Sequence, residues 1–128
     1  MNLLLDTHTL LWFLWNDKRL SANARTVIVD PQNRKFVSLA SCWEIAIKAG
    51  SGKLTLGEPS TTFLPRELAR NNFDQLPIGL DHATAVESLP LHHRDPFDRL
   101  LIAQALLNHL PLASADPALD PYGVTRLW

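Results

Sequence analysis

The sequence predicts a single α/β domain spanning residues 1–128. Short apolar runs of strand length alternate with longer runs of helical periodicity along the chain, the pattern of stacked strand and helix layers. The 128 residues are 46% hydrophobic and 20% charged, enough for one buried core and too few for two domains. A third observation concerns function: four acids sit where an apolar run gives way to a helix start. They are Asp6 after NLLL, Glu44 after FVSLASCW, Asp98 within RDPFDRLLIAQA, and Asp116 after PLAS.

Residues 2–5 form a short apolar strand ending at Asp6. The following THTLLWFLW is too long and too apolar for a turn, so it predicts a buried helix. Ser21 is placed to cap a second helix that runs to Val29 and stops at Asp30-Pro31. FVSLA then predicts a second buried strand, and SCWEIAIKAGSGK a helix in which Ser41 and Glu44 have capping-box spacing, stopped by Gly50 and Gly52. Between Leu54 and Leu89 the prolines 59, 65 and 77 divide two modest helices, about 62–71 and 81–89, around a short segment at QLPI. Asp95-Pro96 opens the longest helix, whose apolar surface is interrupted only by Gln104 and Asn108 before Pro111, so it is buried on most sides. LPLAS predicts a strand, Asp116-Pro117 another helix start, and VTRLW an edge strand.

In an open parallel sheet the ligand crevice lies beyond the carboxyl ends of the strands, so acids at several strand exits would face one hollow. Crowded carboxylates repel: two like charges 4 Å apart cost roughly 4 kcal/mol at an effective dielectric of 20. Such a cluster persists only with protons or cations, and oxygen-only ligands favour Mg²⁺ or Mn²⁺. Helix capping accounts for any one of these acids, at about 1 kcal/mol each. Capping does not by itself predict convergence. Asp95, just before Pro96, is the natural N-cap, which leaves Asp98 freer to reach outward as the third ligand and Asp95 as a supporting acid. Glu44 also lies four residues before Lys48, the favourable order for a helical ion pair.

The net charge of −1 and pI near 6.5 exclude a globally basic nucleic-acid binder, so any such contact rests on local patches, among them Lys48 and Arg94/Arg99. The lone Cys42 excludes an internal disulfide and a cysteine zinc set, as suits a reducing compartment. His92 and His93 read as a loop pair, since no HExxH or comparable spacing accompanies them. Trp12, Trp15 and Trp43 read as core or dimer contacts. Ser114 either hydrogen-bonds the acids or simply ends a strand. No basic leader or span of about 18 apolar residues is visible, so a cytoplasmic protein without membrane contact is expected.

Taken together, LLDTHTLLW, SCWEIAIKAGSGKL, HRDPFDRLLIAQA and LASAD resemble, in order and nearly end to end, a PIN-domain ribonuclease of the VapC toxin type. The resemblance implies a three-layer α/β fold with a central, mainly parallel sheet flanked by helices. It implies that Asp6, Glu44, Asp98 and Asp116 are the acidic quartet that binds Mg²⁺ or Mn²⁺, with Ser114 in the hydroxyl position before the last acid and Asp95 from the DPFD variant of one branch. Serine stands first in SAD where threonine is more usual, which preserves the hydroxyl. The implied activity is hydrolysis of RNA phosphodiester bonds, with Lys48, Arg94 and Arg99 as candidate phosphate contacts. The implied partners are an RNA substrate, a small cognate antitoxin and a second copy of the chain. The alternatives are a non-catalytic PIN-like binding module, and a metal-dependent phosphoesterase or nuclease acting on another substrate.

Overall fold

The computed structural model describes Met1–Trp128. Five strands form one parallel sheet in the order β3-β2-β1-β4-β5: β1 (Asn2–Leu5), β2 (Arg34–Ser38), β3 (Phe73–Leu76), β4 (Leu112–Ala113) and β5 (Arg126–Leu127). Around it lie α1 (Thr7–Leu14), α2 (Ala22–Val29), α3 (Leu39–Gly50), α4 (Ser60–Arg70), α5 (Leu80–Ala85) and α6 (Pro96–Leu107). Single-turn 3₁₀ segments cover Val86–Ser88 and, more extended, Pro117–Tyr122.

The three leucines of β1 explain the layering. Successive strand residues point to opposite faces. Leu3 and Leu5 enter a core with Leu10, Ile28, Val37, Ile45 and Phe63, whereas Leu4 enters a second with Leu101, Ile102, Leu112 and Leu119. All three leucines are fully buried, as a central parallel strand covered on both faces requires. The expected three-layer architecture is therefore the observed one.

Most helix boundaries follow local chemistry. Ser21 caps α2 by accepting from Ala24 N–H at 3.0 Å, and Asp95 caps α6 ahead of Pro96. The expectation for α3 is corrected: β2 ends at Ser38, whose hydroxyl accepts from Ala40 N–H at 3.0 Å, so the helix begins at Leu39. Ser41 thus lies inside the first turn, and the capping box with Glu44 does not form. The segment expected as one helix over 81–89 is α5 followed by the 3₁₀ turn. After Asp116 the chain forms only a 3₁₀ helix, because Pro121 has no N–H to continue it and Gly123 at φ 81° ends it. Trp15 and Trp43 are exposed in this single chain, whereas Trp12 packs on the core.

The sheet order places the site. From β1 the chain steps to β2 and then β3 on one side, and α6 returns it to β4 on the other side of β1. The reversal opens a crevice at the carboxyl ends of β1 and β4. Leu5 pairs with Ala113, so Asp6 and Ser114 leave the sheet side by side.

Candidate functional site

A hollow of about 260 Å³ lies at that switch point, and Asp6, Glu44, Asp95, Asp98 and Asp116 all line it, together with Lys48 and His93. Five carboxylates from four separate segments therefore meet. Three of them cap helices and two do not.

Asp6 caps α1, accepting from Thr9 N–H at 2.8 Å. Its carboxyl is buried, which pushes its pKa up, while Ser114 and Thr9 pull it back by hydrogen bonding. Ser114 is fully buried beside it and accepts from Asp116 N–H at 3.1 Å, while the backbone bond from Asp6 N–H to Ala113 O at 3.1 Å ties the exits of β1 and β4 together. Asp116 caps the 3₁₀ helix through Ala118 N–H at 2.9 Å. Asp95 caps α6 through Phe97 N–H at 2.8 Å and Asp98 N–H at 3.3 Å.

Asp98 caps nothing. It stands in the first turn of α6 with its carboxylate turned into the hollow, and its pKa is pushed up to about 7 by burial first, then by Asp95 and Asp6, with a further contribution from Glu44 and opposition from His93. Negative charge is thus in excess here, and the mostly oxygen donor set fits a hard divalent cation.

Glu44 is 4% exposed in the second turn of α3. Its Oε1 accepts from the Thr7 hydroxyl at 2.7 Å, and Oε2 from Lys48 Nζ at 2.6 Å. The ion pair anticipated from their spacing exists, but it is not a surface pair: Glu44 is buried and only Lys48, 38% exposed at its side chain, reaches solvent. Thr7 also lies 3.0 Å from the Ser41 hydroxyl, so Ser41 supports Glu44 through Thr7 rather than by capping.

The three candidate phosphate contacts part company. Lys48 is at the hollow. Arg94 is exposed and outside its lining. Arg99 does not reach the hollow: its guanidinium donates to the carbonyls of Val86, Leu89, Pro90 and His93 and to the Tyr122 hydroxyl, at 2.9–3.4 Å. It fastens the loop before α6.

His93 is the residue that sequence reasoning passed over. Its Nε2 lies 3.3 Å from Asp98 Oδ2 and 3.3 Å from Asp116 Oδ2. Donor atoms of the three residues all fall within 4.8 Å of one another. The available signal was its place two residues before the helix cap Asp95, which puts it at the mouth of the acidic helix start. Its partner His92 instead packs edge-on against Tyr122, ring centroids 5.1 Å apart.

Residues 3–123 match the family model described as PIN domain. Ribonuclease VapC16 of Mycobacterium tuberculosis is 39% identical over 69 residues, covering 51% of this chain and 48% of that protein, so the match spans about half the length of the curated relative. Among solved structures, VapBC2 from Rickettsia felis bound to a DNA fragment from their promoter superposes at a TM-score of 0.73, with 12% identity over 100% of both chains. FitAcB from Neisseria gonorrhoeae reaches 0.67 with 18% identity, over 98% of this chain and 96% of that one. These structural likenesses concern the fold.

Proposed function

The chain belongs to the PIN domain family, and on that premise we propose that it is a metal-dependent endoribonuclease, the toxin of a toxin–antitoxin pair, hydrolysing RNA phosphodiester bonds at the acidic hollow. One observation carries the reading. Asp98, which caps nothing, is turned toward three capping acids and Glu44, an excess of negative charge that Lys48 and His93 offset only in part. A binding module whose acids served helices alone would have no use for it.

In this reading Asp6, Asp98 and Asp116 hold Mg²⁺ or Mn²⁺, with Asp95 as a supporting acid. When bound, the cation supplies positive charge against the scissile phosphate and lowers the pKa of the attacking water. Glu44, immobilised by Thr7 and Lys48, orients that water in line with the departing 3′ oxygen. Lys48 keeps its charge, its pKa raised by the Glu44 carboxylate, and stands at the rim where a substrate phosphate enters. Ser114 holds the Asp116 backbone beside the Asp6 exit, which strand pairing keeps in register with it. Attack by water leaves a 5′-phosphate, so a 2′,3′-cyclic phosphate product would contradict this route.

The partners follow from what the similar proteins are. The curated relative is named a ribonuclease, and the Rickettsia structure is a VapBC complex. For this chain we assign an RNA substrate, a small antitoxin and a homodimer in the cytoplasm; no helix is long and apolar enough to cross a membrane. Sedimentation of the purified chain tests the dimer, and a monomer at micromolar concentration would remove it.

End-labelled total RNA incubated with wild type and with Asp6→Asn, each with Mg²⁺ or Mn²⁺ and with chelator, is the deciding experiment. Discrete cuts that require both the metal and Asp6 are expected. Cuts that survive in Asp6→Asn would reject the assignment, and equal cleavage of DNA would move it to a nuclease that does not read the 2′ hydroxyl.

A further inference from the structure

The geometry points to His93 as the positioning residue of the acidic site, a neutral imidazole whose Nε2–H is donated to Asp116 with Asp98 beside it, and which is not itself a metal ligand. The inference rests on the proposed metal site and assigns the imidazole that stands between its acids.

Proximity alone suggests the opposite. One imidazole and two carboxylates whose donor atoms lie within 4.8 Å of one another are what a transition-metal triad would offer. The other ring nitrogen decides. The backbone N–H of Asp95 points at His93 Nδ1 at 3.1 Å. An amide N–H only donates, so Nδ1 must present its lone pair, and the single proton of a neutral imidazole is then on Nε2. A protonated Nε2 has no lone pair for a cation. It has a hydrogen, which it donates to Asp116 Oδ2 across an Nε2···O distance of 3.3 Å, and Asp98 Oδ2 lies 3.3 Å from the same nitrogen as a charge neighbour.

The position is also built rather than incidental. His93 N–H donates to the Tyr122 hydroxyl at 2.7 Å, and its carbonyl accepts from Arg99 Nη1 at 3.4 Å. Arg99 holds three further carbonyls of the same loop, those of Val86, Leu89 and Pro90. A loop histidine fastened at its amide, its carbonyl and one ring nitrogen has little freedom to swing into a ligand pose. Its work is to hold the carboxylates of α6 and of the β4 exit toward each other, which leaves an oxygen-only cation site of the kind that suits Mg²⁺ or Mn²⁺ over Zn²⁺.

Two measurements test this. Long-range ¹H–¹⁵N correlation spectra of the full chain should show His93 with Nε2 protonated and Nδ1 bare, both without metal and with Mg²⁺ or Zn²⁺ added. An Nδ1-protonated ring, or an Nε2 that loses its proton and takes a metal-bound shift, would overturn the proposal. Calorimetric titration with Mn²⁺ should give an affinity loss of about 10–100-fold for His93→Ala, the usual cost of deleting a group that orients a ligand, at an unchanged circular dichroism spectrum. His93→Gln, whose amide NH₂ restores a donor, should recover most of it. Equal loss in both variants would count against a donor role, as would lowered melting of both at unchanged affinity. If wild type bound neither Mn²⁺ nor Mg²⁺, the metal reading of the function would fall, while the tautomer in the spectrum would still decide the state of His93.

Discussion

Asp95 and Asp98 stand one helical turn apart at the start of α6, and the chain uses them differently. Asp95 accepts two backbone N–H groups and is held by them; Asp98 accepts none and bears the repulsion of its neighbours. A carboxyl whose pKa is raised from 3.8 unfolded to about 7 folded binds its proton more tightly in the folded state. Its stabilising contribution is complete below the unfolded value and is lost as pH rises to about 7, and buried Asp6 acts in the same sense. Denaturant titration of the metal-free protein should therefore show stability falling across that window. Asp98→Asn should flatten the fall, and an unchanged profile would mean that Asp98 is not strained. Asp6→Asn should leave the metal-free fold intact or slightly stabilised, since the amide oxygen can still accept from Thr9 N–H while the buried charge is gone. Of these roles, the candidacy of Asp6 and Asp116 was legible from strand exits and that of Asp98 from the helix start it shares with Asp95. The use of His93 was not, because nothing in a loop pair announces which imidazole turns inward.

At the scale of elements, caps and buried faces set the helices independently of the site. Ser21→Ala should cost about 1 kcal/mol by thermal melting and leave Mn²⁺ affinity unchanged, because α2 is remote from the hollow. Leu101→Ala, at a side chain 1% exposed between α6 and the sheet, should cost about 2–5 kcal/mol. The Ser21 cap, the Asp95-Pro96 start and the β1 strand could all be read from sequence, since each depends on a few adjacent residues. The start of α3 could not. Ser38 and Ser41 are both competent caps, and the choice was made by β2, which pairs with β1 as far as Val37 and with β3 through Ser38, releasing the chain there.

The whole molecule brings the acids together by one topological device, the reversal of strand order on either side of β1. Binding a cation at that crevice should stabilise the folded chain by mass action, by about 2.7 kcal/mol at a hundredfold excess over the dissociation constant. Differential scanning calorimetry should thus find a melting temperature that rises with Mn²⁺ or Mg²⁺ in wild type, returns with chelator, and does not respond in Asp6→Asn. A response that persists in the variant would place the cation elsewhere.

By itself the sequence determined the α/β class, the alternation of strand and helix, the acids at the element junctions and the family they resemble, because apolar period, capping chemistry and motif order are local properties of the chain. Tertiary structure alone decided which groups meet. It gathered the other carboxylates around Asp98, buried Glu44 while leaving its partner Lys48 at the surface, turned Arg99 into a loop fastener and brought His93 Nε2 up to Asp98 and Asp116. Those outcomes depend on strand order, register and burial, which join residues tens of positions apart and leave no mark in the neighbouring sequence of any one of them.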